Sequence, residues 1–307
     1  SVFRETRRIT LAPEGDGGQF KYGVSLYSFM GDYGTVMDLE TSLAVINDIG
    51  ATGVEVLGEG HIPGYPNPST AFIDQWYQLL EKYSLEPTNY GSWIDTRLHP
   101  SRGLTELEGV QALQRDLKLA HQLGFRFIRP KIGVVSDDLV PDPIWQGAVE
   151  RNLDLAHDLG IIICPEIHSP TPIKHPVVQD YIDLIERTGT ENFGLLIDTG
   201  IFQDRPIPLR DGESPETRPA FLDGIGVDPS DFAEIAKYVV FIQAKFHDIN
   251  EELEDQQIPW GRVMNALESA GYRGYLSSEY EGERTAWRAI EQVRRQHALL
   301  RGITSDS

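Results

Sequence analysis

The chain predicts an α/β fold, a single-domain (β/α)8 TIM barrel, on three observations. Strand-like and helix-like hydrophobic periods alternate eight times, one βα unit nearly repeats, and glycines stand where several helices should stop. The strand-like runs are Lys21–Phe29, Gly53–Leu57, Pro87–Trp93, Phe125–Lys131, Ile161–His168, Phe193–Asp198, Val239–His247 and Gly274–Tyr280. Each is followed by apolar residues at i, i+3, i+4 spacing, which a helix places on one face. Those segments are Leu39–Ile49, Ala71–Tyr83, Glu106–Leu123, Ile144–Leu159, Val177–Arg187, Asp231–Tyr238, Arg262–Ala270 and Thr285–Arg301. LKLAHQLG at Leu117–Gly124 recurs as LDLAHDLG at Leu153–Gly160, 36 residues on, and each copy leads into an apolar strand. That period suits one βα unit of a barrel. Gly50, Gly124, Gly160 and Gly271 fall where a left-handed residue would close the helix.

An open doubly wound sheet is built from the same units, but its G-x-G-x-x-G signature is absent, and eight is the number with which a barrel closes. A barrel fills roughly 250 residues as one unit. Within 307 residues this leaves residues 1–20 as an N-terminal arm and 21–307 as the barrel. Residues 203–228 are rich in Pro, Gly, Asp and Arg, and are expected to form a long loop after the sixth strand.

Composition narrows the function. Twenty-seven basic against 47 acidic residues give a net charge of −20, which repels phosphate backbones and argues against nucleic-acid binding. No run approaches the ~18–20 apolar residues of a spanning helix, and the first twenty residues lack the apolar core of a signal peptide. The one cysteine, Cys164, lies inside an apolar run and makes neither a disulfide nor a thiolate cluster, which fits a cytoplasmic protein. G-x-S-x-G, H-E-x-x-H, C-x-x-C and P-loop motifs are absent.

In a barrel the chemistry comes from the C-terminal ends of the strands. The fifth run ends with Glu166 and His168, and the sixth with Asp198. The seventh carries Gln243, Lys245 and His247, and the eighth Glu279 and Glu281. Side chains alternate along a strand, so within each of these sets the residues share a face. Acids gathered at one mouth repel one another, which either Arg and Lys partners or a divalent cation relieves. An oxygen-rich set with one nitrogen or amide donor suits Mn2+ or Mg2+ better than structural zinc. His168 is a candidate for proton transfer, with a structural histidine as the alternative. Lys131, in RPKIG, either meets a substrate oxygen or makes a salt bridge. Glu55, in GVEVLG, is a candidate substrate hydrogen-bond acceptor, and Glu281 a further substrate-facing acid. Trp93, Asp95, Arg97 and His99, in SWIDTRLHP, form a polar-aromatic loop of the kind that suits sugars. His121 and His157 hold equivalent places in the near-repeat and read as structural.

With CPEIHSP, GLLIDTG, FIQAKFHDI and IPWGRVMNALESAGYRGYLSSEYEG, the chain resembles the xylose isomerase-like TIM-barrel superfamily from about Lys21 to its last helix. That superfamily holds sugar isomerases, epimerases, inosose dehydratases and endonuclease IV. The resemblance implies a metal held by Glu166, Asp198, a seventh-strand residue and Glu279. Where the family has His in an H-x-K pattern, this chain has Gln243, so either its amide oxygen serves or His247 supplies the nitrogen; register favours Gln243. WIDTRLHP, CPEIHSPT and IDTGIFQ are also similar to the larger subunit of bacterial C-glycoside deglycosidases. Those proteins bind Mn2+, pair with a small β-rich subunit, and release the aglycone from a 3-keto-sugar by elimination.

The resemblance thus implies a metal-dependent carbohydrate lyase or isomerase, often oligomeric, acting on a sugar or glycoside. Its shared chemistry is proton abstraction beside a carbonyl with a metal-stabilised enediolate. His168 or a metal-bound carboxylate such as Glu166 would be the base, with Lys131 and Lys245 stabilising negative charge. The best specific expectation is a C-glycoside deglycosidase catalytic subunit. A sugar isomerase or epimerase, or an inosose dehydratase-like enzyme, is the alternative. An endonuclease IV-like phosphodiesterase is disfavoured by eight histidines and the net charge of −20, and a non-catalytic barrel subunit is raised only by Gln243.

Overall fold

The computed structural model describes residues 19–92, 99, 101–134, 138–219 and 222–305. Nine parallel strands form one sheet: β1 Lys21–Ser25, β2 Gly53–Leu57, β3 Glu86–Ser92, β4 Phe127–Pro130, β5 Ile162–Ile163, β6 Glu166–Ile167, β7 Leu195–Asp198, β8 Val239–Phe246 and β9 Tyr275–Tyr280. Their order, β5-β4-β3-β2-β1-β9-β8-β7-β6, starts and ends on the two halves of a single segment. Ile163 pairs with Phe193 just before β7, and its amide donates to the Asn192 carbonyl at 2.9 Å, so that segment joins both sheet ends and the barrel closes. The expected fifth strand is therefore present but broken at Cys164–Pro165. Pro165 has no N–H for the ladder, though its carbonyl still accepts from Leu196 at 3.2 Å. The expected seventh and eighth strands are β8 and β9.

The expected strand Lys21–Phe29 ends at Ser25 and turns into a 3-10 helix, Leu26–Phe29, with the Ser25 hydroxyl capping Tyr27 N. The expected helix Ile144–Leu159 is two helices, Trp145–Glu150 and Leu153–Leu159. Asn152 sits at their junction and sends its amide to the Ala148 and Val110 carbonyls, competing with the helical ladder. Asp231–Tyr238 is one short α turn between 3-10 turns, Pro229–Asp231 and Ala236–Tyr238. A turn of helix the periodicity did not predict, Gly58–His61, follows β2. Gly50 and Gly160 close their helices at φ 91° and 67°, conformations that a side chain would strain.

The described residues of 203–228 carry no α-helix or strand. His121 and His157 do equivalent structural work: each sets its Nδ1 against an oxygen of the chain leading into the next barrel unit, Leu159 O and Asn192 Oδ1. Cys164 is fully buried, and burial pushes its thiol far above the ordinary range. Among the described residues no helix is long and apolar enough to cross a membrane.

Candidate active site

A cavity of about 270 Å³ opens at the C-terminal ends of β1, β2, β4, β6, β8 and β9. Strand alternation puts Glu166, Gln243, Lys245 and Glu279 on the inward face, and His168 and Glu281 continue that parity just past the strand ends.

Lys245 stands at the centre. Its Nζ lies 3.1 Å from Asp198 Oδ2 and 3.3 Å from Glu279 Oε1, and it donates to Glu281 Oε2. His168 Nε2 is 3.5 Å from the same ammonium and 3.6 Å from Asp198 Oδ2. Burial works against a charged lysine, but the carboxylates overcome it and hold Lys245 well above the usual range. Arg129, from β4, brings its Nε to 3.8 Å from Glu166 Oε2. Burial would raise Glu166, but Arg129, His168 and Lys245 pull it down to about 2. Burial pushes Asp198 up to about 7, with Glu166 adding to the rise and Lys245 opposing it. Glu279 goes up to about 8 through burial and its acidic neighbours, again against Lys245. One ammonium and one guanidinium do not neutralise this many buried acids.

The partners of the acceptors are uneven. Asp198 Oδ1 accepts from Gly200 N at 2.7 Å, whereas Oδ2 is ion-paired with Lys245 but has no aligned hydrogen bond. Glu279 Oε2 and Gln243 Oε1 are likewise buried without a hydrogen-bond partner. Donor atoms of Glu166, His168 and Asp198 all lie within 4.8 Å of one another, a spacing that admits a metal ion. Buried acceptors left without donors, beside an excess of negative charge, fit a divalent cation by their chemistry.

The other expected site residues are distributed as follows. Lys131 and Glu281 line the cavity. Glu55 also borders it, but its carboxylate accepts from three internal donors: Asn89 Nδ2 and Gln243 Nε2 at 2.7 Å and Ser277 Oγ at 2.9 Å. Burial raises its pKa while those three donors lower it. His247 follows β8, turns its Nδ1 to the Glu281 carbonyl at 3.2 Å, and is absent from the cavity wall, so of the two seventh-strand candidates it is Gln243 that reaches the cavity. Trp93, Asp95 and Arg97 lie outside the described residues. His99 pairs with Ser101 and does not border the cavity.

Sequence reasoning missed Arg129, Tyr27 and the Asn89–Ser277 pair under Glu55. The same parity that joins Glu166 to His168 would have joined Arg129 to Lys131. Tyr27 lies in the turn that cut the first strand short, and burial raises its phenol to about 12.

The barrel and its strand-end acids define the class, and the chain belongs to the family described as xylose isomerase-like TIM barrel, whose model matches residues 43–303. Over 342 aligned residues it is 27% identical to the 3'-dehydrocarminate deglycosidase alpha subunit of Microbacterium sp, covering 92% of this chain and 95% of that one. It is 24% identical to a C-glycoside deglycosidase alpha subunit of Arthrobacter globiformis, covering 93% and 92%. In structure it is similar to D-allulose 3-epimerase from Methylomonas sp., with a TM-score of 0.64, 13% identity and coverage of 94% and 100%. That last likeness speaks to the fold. The curated relatives are carbohydrate-active enzymes, and both are named as alpha subunits.

Proposed function

We propose that this chain is the catalytic subunit of a C-glycoside deglycosidase, a lyase that acts on a 3-keto-glycoside with the help of a divalent cation. The observation that carries the reading is the set of buried acceptors without an aligned hydrogen-bond donor: on Gln243 and Glu279, which line the acid-rich mouth, and on Asp198, which does not border the cavity and lies against Lys245. Full-length similarity to two deglycosidase alpha subunits supports the substrate class.

Glu166, Asp198, Gln243 and Glu279 would hold the cation, with Mn2+ the first choice for so oxygen-rich a set. When bound, it supplies Lewis-acid polarisation of the sugar carbonyl. The remaining work falls to the chain. His168 Nδ1 faces the Ser169 carbonyl, which only accepts, so that nitrogen carries a hydrogen, and in the neutral ring it is Nε2, 3.5 Å from Lys245 Nζ, that holds the lone pair. His168 Nε2 is thus the candidate base for the proton on the carbon next to the keto group, with Glu166 the rival. The electron pair left behind forms the double bond to the anomeric carbon, whose bond to the aglycone breaks. The aglycone carbon keeps the electron pair of that broken bond and takes a proton. Lys245 and Lys131, both lining the cavity, would stabilise the negative charge that develops on the enolate oxygen.

The name alpha subunit, shared by the relatives, supports a partner subunit. A single buried cysteine is in keeping with the cytoplasm.

Solvent-deuterium exchange followed by proton NMR tests the reading. The protein is incubated with Mn2+ in heavy water with a 3-keto-C-glucoside, a ketose or inosose. Loss of one carbon-bound proton of the keto-glucoside, with free aglycone accumulating, is the expected result. Exchange on the ketose with a new sugar and no aglycone would replace the lyase by an epimerase or isomerase. Metal bound but no exchange on any of the three would overturn the enolisation chemistry.

A further inference from the structure

We infer that Glu55 is a positioning residue that decides which end of the Gln243 amide faces the mouth, and thereby makes Gln243 an oxygen donor toward a bound divalent cation. The inference rests on the metal reading above and adds to it a cause for the side chain that departs from the family's histidine.

An amide side chain presents a donor at one end and an acceptor at the other, and packing alone barely distinguishes them. Here something does distinguish them. Gln243 Nε2 donates to Glu55 Oε2 at 2.7 Å, and Oε1, at the other end of the same amide, is the buried acceptor left without a donor. Turned over, the amide would set its oxygen against a carboxylate oxygen at that same separation, with no hydrogen between them. Glu55 is held in place for this task from two further sides. Asn89 Nδ2 reaches the same Oε2 from β3 at 2.7 Å, and Ser277 Oγ reaches Oε1 from β9 at 2.9 Å. Three donors from three strands converge on one carboxylate that is itself almost fully buried, so it presents only acceptors to Gln243. Register continues the chain of contacts: Gln243 pairs with Asp198 on one side and with Ser277 on the other. Glu55 thus acts through Gln243 rather than on a substrate. Partners behind a ligand commonly tune metal affinity by about 10- to 100-fold.

Mn2+ titration, read from the electron paramagnetic resonance signal of the free ion, tests this without any turnover. Wild type binds Mn2+, and Glu55→Gln is expected to bind it about 10- to 100-fold more weakly, because a glutamine at 55 can offer either end to Gln243. Gln243→Leu should lose about as much, and adding Glu55→Gln to it should lose no more. The exchanged pair, E55Q/Q243E, keeps the hydrogen bond with the roles reversed and leaves one carboxylate oxygen for the mouth, so it should recover most of the lost affinity. A merely structural Glu55 does not predict the missing second loss, and the recovery counts only where it exceeds that of Q243E alone, whose added carboxylate attracts a cation by its charge. Unchanged affinity in Glu55→Gln, with wild type binding, overturns this inference and leaves the metal reading standing. No Mn2+ binding to wild type overturns both. If Glu55→Gln does not fold, the exchanged pair decides: affinity near wild type and above that of Q243E alone supports the inference, and affinity no higher than in Q243E alone, or as low as in Gln243→Leu, overturns it.

Discussion

Asp198 and Asp255 are both buried aspartates whose carboxyls burial raises, to about 7 and about 6, yet they do opposite work. Asp255 is surrounded by its own segment: Oδ1 accepts from Gln257 N at 2.8 Å and Ile258 N at 2.9 Å, and Oδ2 from Trp260 Nε1 at 2.7 Å. Every donor comes from within five residues, and together they tie the loop after β8 to the helix Trp260–Ser269. Asp198 has one backbone donor on Oδ1, while Oδ2 faces a lysine and other acids without an aligned hydrogen bond. A raised carboxyl does not by itself mark a site. What separates the two is whether the protein supplies aligned donors to both oxygens.

Removing the central cation should have the largest effect on stability. Lys245→Met strips the ammonium from Asp198, Glu279 and Glu281, and is expected to cost about 3–5 kcal/mol. Thermal melting with and without Mn2+ sharpens the comparison, since a cation held by these acids should return much of the lost stability. Melting that ignores Mn2+ would show that the acids hold no cation. Asp198→Asn should leave stability close to wild type and lower the rate of keto-glycoside cleavage by roughly 10^3-fold, the scale of one preorganised charge. Its mirror is Asp255→Ala, which strands three buried donors and should cost about 2–3 kcal/mol by urea unfolding, with activity per folded molecule unchanged. If the two aspartates exchanged these phenotypes, counting donors would have failed as a guide.

A smaller effect concerns pH. His61 Nδ1 accepts from Leu57 N at 2.9 Å, and burial lowers its pKa to about 4. The fold takes the neutral ring, while the unfolded chain takes up a proton below ~6.5. The stabilising contribution of this histidine is therefore whole above that value and lost as pH falls toward 4, at about 1.4 kcal/mol per pH unit. His61→Asn should flatten the pH dependence of the unfolding free energy, from urea titration, between pH 6.5 and 4.5 by that amount. An unchanged slope would place His61 outside the acid response.

The barrel was legible because both of its periods are written into the chain, and so were the acids at the strand ends, since alternation assigns their face without knowledge of the neighbours. Glu166, Asp198 and Glu279 are strand-end acids in the structure as in the pattern. Other features were hidden for definite reasons. The break at Pro165 splits one strand into two, and Asn152 splits one helix, because a single missing or competing donor interrupts a ladder whose hydrophobic period continues. Arg129 sits in a run that reads as apolar, and its role appears only when β4 and β6 are set side by side.

By itself, the sequence determined the architecture, the inward face of Glu166, Gln243, Lys245 and Glu279 and the chemical kind of group at the mouth, because those follow from local periodicity and register. Only the tertiary structure decided that Lys245 stands amid the acids, that His247 turns away to the Glu281 carbonyl, and that the Gln243 amide donates to Glu55. Those outcomes depend on contacts between strands far apart in the chain, such as Glu55 with Gln243 across 188 residues, and the direction of a hydrogen bond is settled only when both partners are in place.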